Sequence, residues 1–342
     1  MRKYFRYIFF TKARLTGLYK YDDLFQIYPI PIDGIPSSKI QKHFPNFIEF
    51  YTTDQDNVSL ETPYHEMDEL ISGLAPPTIK QDLFLSLLTV GTNHLFFRYD
   101  DFTGSWGIPV FSDNPDDYDG KDSKWCIPIY LSPVLEGTNV ILGFSDIKIS
   151  PVGRENYLEY FFGEISHDKY YSNPITVPTN LKAFIEGYHI LDPITRIVVN
   201  NAILHLKNGV ELSGTKKTLS LISLFTSLET MVDLENRGFK PKHCETCNQL
   251  VFSVSKKFKA FLSDYVSNHK SSNSKFNKLY TLRSKIVHTG KTLDSELLYS
   301  EVSQADRTSE ELKINELIQI CRVSIIKWVI KKSIALTKEG DS

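Results

Sequence analysis

Cysteine is scarce in this chain: four residues among 342, at positions 126, 244, 247 and 321. No spacing among them reads as a disulfide framework, so an apolar core must hold the fold, and a reducing interior is the expected compartment. Long apolar runs are missing too. The longest, such as residues 83–90, fall far short of the ~20 residues a membrane-spanning helix needs. The basic start MRKYFRYIFFTKARL is broken by Lys12 and Arg14 and carries no cleavage-like site. It is therefore not expected to be a secretory leader, and a cytoplasmic protein with no membrane partner is anticipated. No internal repeat is visible. The acidic loop at 112–123 fails as a calcium loop, because aligning Gly120 with the invariant glycine places Pro115 at the first ligand position and Cys126 at the last.

What is present is an ordinary globular balance, 41% hydrophobic and 23% charged, with a high aromatic share of 13%. That share argues against disorder and for a strand-rich portion. Length alone suggests about two domains. Residues 1–175 read mainly as strands, at 4–10, 46–52, 94–99, 106–111, 125–131 and 140–149, punctuated by turn residues. Between the second and third, a helix pair is expected at 64–74 and 78–89, divided by Pro76 and Pro77. Residues 173–180, NPITVPTN, read as a linker.

Beyond it the pattern turns helical. Asp192 and Pro193 form an N-cap and first-turn pair for a helix to about Lys207. Further helices are expected at 215–237, stopped by Gly238, and at 251–269. A polar loop at 271–274 then leads into a fourth helix, and the last spans 308–337, long enough to allow a kink or a division. The fold class is thus α+β: a β-rich domain at 1–175 and an antiparallel helical bundle at 176–342.

Charge is distributed unevenly. Between Lys240 and Lys291, eleven Lys or Arg stand against two acids, Glu245 and Asp264, although the whole chain has a net charge of -2. Lys256, Lys257, Lys275, Lys278 and Lys285 make this segment a candidate platform for a phosphate backbone; the plainer reading is a set of solvated helix faces. Inside it lies LYTLRSKIVHTG, residues 279–290. Phe276, Leu279, Leu282 and Ile286 recur at helical spacing, so one stripe can pack while Arg283, Ser284 and Lys285 occupy the next ridge. Arg283 and His288 lie five steps apart, about 140° around the axis. They can share a phosphate, but no tight hydrogen bond between them is expected. An imidazole that titrates near neutrality and a planar guanidinium suit phosphoryl chemistry on RNA.

LYTLRSKIVHTG resembles the R-x4-6-H signature of the HEPN superfamily, and closely resembles its Apea-like branch, in which Leu-Tyr-x-Leu-Arg-Ser-x-x-x-His-Gly is usual. Here Thr289 is inserted before the glycine. The upstream helix TSLETMVDLE, residues 226–235, adds to the match, which covers roughly the C-terminal half. The resemblance implies a metal-independent RNA endonuclease without a cofactor, acting as a homodimer whose composite site takes one arginine and one histidine from each subunit. His288 would be general acid or base, Arg283 would stabilise the phosphoryl charge, Ser284 would add a hydrogen bond and Glu229 would orient Arg283. Family context implies anti-phage or toxin-like defence, with residues 1–175 as a regulatory or sensor domain for a phage-derived trigger. Another family variant carries a tyrosine two residues after the histidine, a target for a partner nucleotidyltransferase. Gly290 stands there, which argues against that system.

Two readings without catalysis remain open: a module that binds nucleic acid or a protein partner without cutting, and a bundle that only dimerises a sensory domain. His243, Cys244 and Cys247 have zinc-like spacing, but no second pair completes four ligands, so no metal is the preferred reading.

Overall fold

The computed structural model describes residues 2–30, 43–53, 65–98, 105–107, 129–131, 140–162, 173–238, 254–267, 269–297 and 301–340. The chain forms two compact units. One comprises Met1–Leu88, His94–Asn156 and Phe162–Pro178; the other comprises Thr89–Asn93, Tyr157–Phe161 and Thr179–Ser342. The N-terminal region is β-rich and the C-terminal part helical, an α+β chain.

In the first unit, β1 (Lys3–Thr11), β2 (Tyr19–Tyr21), β3 (Phe25–Pro29), β4 (Phe44–Thr52) and β5 (Phe96–Phe97) form an antiparallel sheet in the order β2-β3-β4-β1-β5. The β2-β3 hairpin, absent from the sequence expectation, turns at Asp22, whose φ of 42° an aspartate tolerates. Register places Phe5, Phe50 and Phe25 side by side on one face. Against them packs α1 (His65–Gly91), with the Phe84 ring 4.7 Å from Phe25 and 5.6 Å from Phe50. This helix runs unbroken through Pro76 and Pro77, where a break was expected. Phe84, Leu85, Leu87, Leu88 and Val90 in its second half are fully buried. Each contributes about 1.5–3 kcal/mol of apolar burial, which outweighs the roughly 3 kcal/mol that an interior proline costs.

The opposite sheet face is polar at its centre. Arg6, Glu49 and Gln26 lie in one row across β1, β4 and β3. The Glu49 carboxylate, fully buried, accepts from Arg6 Nε (2.8 Å), Tyr28 Oη (2.6 Å), Gln26 Nε2 (2.8 Å), Ser145 Oγ (2.7 Å) and Ser145 N (2.8 Å). Burial alone would push this carboxyl up. The donors from Tyr28, Ser145 and Arg6 outweigh it, and the group stays below the usual carboxylate range. Capture of Ser145 also explains why β8 (Val140–Ile141) is short where a strand to 149 was expected: after two pairs with β1 the chain leaves the ladder and crosses the sheet face.

Smaller pairs are β6 (Ser105–Gly107) with β7 (Ile129–Leu131), and, in parallel, β9 (Gly153–Glu155) with β10 (Thr176–Pro178). Residues 173–180 are therefore not a plain linker. Val177 is buried, and the changeover between units falls at 178/179 rather than 175/176. Residues 112–123 lie outside the described residues, as does most of the strand expected at 106–111.

The second unit contains α2 (Tyr157–Phe162, mostly), α3 (Leu181–Ile190), α4 (Pro193–Leu212), α5 (Lys217–Glu235), α6 (Val254–Tyr265), α7 (Lys270–Thr289), a 3-10 turn (Asp294–Glu296) and α8 (Gln304–Gly340). The α4 cap is as read: Asp192 Oδ1 accepts from Thr195 N at 3.0 Å, with Pro193 in the first turn. The helix continues to Leu212 rather than Lys207. Antiparallel α4 and α5 approach through small residues, Ser220 Oγ donating to Gly209 O (2.6 Å) and Ser227 Oγ to Ala202 O (2.7 Å). A Cβ at Gly209 would lie 2.6 Å from Leu224 Cγ, so only glycine allows this crossing.

Along α8, Cys321 Sγ reaches Leu224 O at 3.4 Å, its thiol pushed up by complete burial. Trp328 Nε1 (2.8 Å) and Lys332 Nζ (3.0 Å) meet one oxygen of Glu235 while Tyr265 Oη (2.9 Å) meets the other. This helix is single and undivided. It starts four residues before the expected 308 because Ser303 Oγ accepts from Asp306 N at 3.2 Å. Residues 271–274 are not a loop but the first turns of α7, entered through Ser267, whose hydroxyl accepts from His269 N at 3.3 Å.

Candidate active site

Three buried side chains on α7, Phe276, Leu279 and Ile286, define the face it turns to the bundle. Arg283 lies four steps from Leu279 and seven from Phe276, on the same arc. Its guanidinium must therefore find a partner at the helix interface. That partner is Glu229, which leaves α5 between the fully buried Leu228 and Met231. Arg283 Nε donates to Oε1 at 2.5 Å and Nη2 to Oε2 at 3.0 Å, a bidentate fork. Side-chain exposure is 17% for Arg283 and 29% for Glu229, so the pair sits at the edge of the core. The hydrogen bonds Arg283 donates to Glu229 raise its pKa further, against the opposing effect of burial.

His288 is exposed in the last turn of α7, and its Nε2 lies 3.0 Å from Arg283 Nη1. The expectation of no tight hydrogen bond between them is overturned. A separation of about 140° at the backbone does not separate the ends of two side chains when one is as long as arginine and the other leans back over the preceding turn. A guanidinium only donates, so Nε2 is the acceptor and the imidazole proton resides on Nδ1. Glu229, Arg283 and His288 thus form one continuous chain from core to solvent. Three of the five guanidinium N–H bonds are used within it. One N–H on each of Nη1 and Nη2 is left to meet an anion.

The helix ends where the histidine needs it to. Gly290 has a φ of +64°, and its N–H closes on Ile286 O at 3.1 Å, so α7 stops at Thr289, one residue beyond His288. Ser284 is half-buried beside Arg283, and among the described residues no hydrogen bond joins its side chain to the other three.

The lysines separate into groups. Lys275 is exposed and ion-paired with Glu316 of α8. Lys278 and Lys285 are exposed and seven residues apart, one stripe on α7, with Lys285 one turn before His288. Lys256 and Lys257 lie on α6, exposed and half-buried respectively. Tyr280 packs its ring 5.7 Å from Phe258 of α6 and so braces the motif helix from the other side.

Cys244, Cys247 and His243 lie outside the described residues, and among those described no cluster of three or more His, Cys, Asp or Glu could hold a metal ion. Nor does any described helix have the length and apolarity to cross a membrane. Comparison of the chain with protein-family models, curated proteins and solved structures finds no match.

Sequence reasoning missed the contacts beside the site. Glu296 reaches back 78 residues to the N-terminus of α5, accepting from Thr218 N at 2.8 Å. Leu293 N donates to Thr218 Oγ1 at 2.9 Å, and Asp294 N to Glu310 Oε1 at 3.0 Å. The only hint in the sequence is that Lys216, the residue preceding α5, has no side chain able to cap it.

Proposed function

We propose that this chain is an endoribonuclease of the HEPN type, in which Arg283 and His288 act on the scissile phosphate and Glu229 holds Arg283 in place. The observation that carries the reading is the linked trio itself: a general acid-base group exposed to solvent, in contact with a fixed cation that is anchored from below. A phosphate entering the site meets the remaining Nη1 and Nη2 hydrogens. Drawn toward that anion, the guanidinium releases His288, and Nε2 is free to take the proton of the ribose 2'-hydroxyl. The 2'-oxygen then attacks phosphorus, the bond to the 5'-oxygen breaks, and an imidazolium of the composite site, His288 or its counterpart in the second copy, gives its proton to that leaving oxygen. Arg283 balances the charge that grows on the non-bridging oxygens. The products carry 2',3'-cyclic phosphate and 5'-hydroxyl ends, and DNA lacks the nucleophile. The same reading has two copies facing each other through their bundles in the cytoplasm, in a defence role, with the N-terminal unit as the place a trigger acts.

One observation favours a second reading. Glu229 and Glu316 neutralise Arg283 and Lys275, as they would where these side chains hold the bundle together and the chain binds its partner without cutting. Incubation with total RNA in EDTA, beside His288→Ala, separates the two. Cyclic phosphate ends produced by the wild type alone support the nuclease. RNA bound with equal affinity and uncut by both proteins supports the binding module.

A further inference from the structure

The turn that follows the motif helix is tied to the same helix that anchors Arg283. The N-terminus of α5 has no cap of its own, since Lys216 contributes no side-chain hydrogen bond. Its needs are met from Asp294–Glu296: Glu296 Oε2 accepts from both Thr218 N and Thr218 Oγ1, and Thr218 Oγ1 in turn accepts from Leu293 N. Glu310 of α8 holds the turn from behind through Asp294 N at 3.0 Å, and Leu293 is buried. A carboxylate at this helix end is also favoured by the partial positive charge of the first turn.

Thr218 and Glu229 are eleven residues apart on α5, about 16 Å along its axis. The chain from Arg283 to Glu296 is therefore attached to α5 at two separated points, and His288 and the Gly290 turn lie between them. Buried Ile286 and the Arg283 fork seat the last turn of α7 on the bundle, and the second attachment fixes the turn at Gly290 through which the helix ends. Together they define where the imidazole lies. We propose that Glu296 is a positioning residue for His288, acting through Thr218 at the N-terminus of α5. It touches no substrate. The proposal rests on the nuclease reading for its kinetic consequence but not for its geometric one.

The test uses the full chain with Glu296→Ala, Glu296→Gln, and Glu235→Gln as a control that loosens the far end of α5. In the 1H–15N imidazole spectrum, with the His288 signals assigned by their loss in His288→Ala, the wild type should show the Nδ1–H tautomer that the bond from Arg283 requires. Glu296→Ala should show averaged tautomers and Glu235→Gln the wild-type pattern. Glu296→Gln keeps an acceptor oxygen for Thr218 and should restore most of the signal. For RNA cleavage, a displacement of about 1 Å predicts a fall in kcat of roughly 100-fold with KM near the wild-type value, rescued in Glu296→Gln. An unchanged His288 tautomer in Glu296→Ala overturns the proposal, as does an equal change in Glu235→Gln. If the wild type cuts no RNA without its trigger, the spectrum alone decides for or against the clamp.

Discussion

Removing the Glu229 carboxylate tests whether the site is built as its geometry says. Exposed ion pairs contribute roughly 0.2–1 kcal/mol, whereas losing one partner of a fully buried pair costs about 3–5 kcal/mol. Arg283 and Glu229 stand between these limits, with side chains 17% and 29% exposed and two parallel hydrogen bonds at 2.5 and 3.0 Å. The double-mutant cycle formed by Glu229→Ala, Arg283→Ala and both together should therefore show a coupling of about 1–3 kcal/mol. The single Glu229→Ala chain should be the worse for keeping an unmatched guanidinium at the interface of α5 and α7. Trp328 is the only one of the three tryptophans beyond residue 178, and it lies on α8 against Glu235 of α5, the helix that carries Glu229. Urea unfolding followed by its fluorescence, with Trp106 and Trp125 replaced by phenylalanine, reads this unit alone. A coupling under about 0.5 kcal/mol would refute the reasoning, because the carboxylate would then not be what holds the arginine.

Two further outcomes follow from the charges. Glu49 has a folded pKa below its unfolded value of 4.5. Its contribution is therefore complete above about pH 4.5 and is lost as pH falls through the depressed folded value. Acid unfolding of the first unit should steepen in that window, and Glu49→Gln should remove the steepening while lowering stability near pH 7 by about 3 kcal/mol. An acid limb unchanged in Glu49→Gln would mean that other carboxylates control it. On α7, Lys278→Gln with Lys285→Gln should weaken RNA binding and reduce the slope of log affinity against log salt by about 1.4, for two phosphate contacts on a single strand. Fluorescence anisotropy across a salt series measures it, and an unchanged slope would place the backbone elsewhere.

What could be read from the sequence was whatever lies within one segment. Arg283, His288 and their apolar stripe belong to a single helix, so spacing alone placed them, and Asp192–Pro193 marked a helix start for the same reason. The resemblance supplied Glu229. Contacts that join distant segments were invisible: Glu296 meets Thr218 across 78 residues, and nothing near either residue announces it. Two errors share one cause, local rules applied without the tertiary term. Pro76 and Pro77 read as a break, yet α1 continues because its second half is fully packed. The wheel angle between Arg283 and His288 read as too wide, yet side-chain length closes it. The β2-β3 hairpin was overlooked because the Asp22-Asp23 turn interrupts an aromatic run that alternates on both sides.

The row of donors around Glu49 has a consequence for how the chain is made. Arg6, Gln26 and Tyr28 precede Glu49, but Ser145, which supplies two of the five hydrogen bonds, emerges 96 residues after it. At about 5–20 residues per second, a ribosome takes roughly 5–20 s to deliver that serine. During that interval the sheet can pair β1, β3 and β4 but cannot close its polar face, so its charged row must stay wet. The nascent N-terminal unit is thus obliged to wait, half-assembled, for a segment made long after its strands.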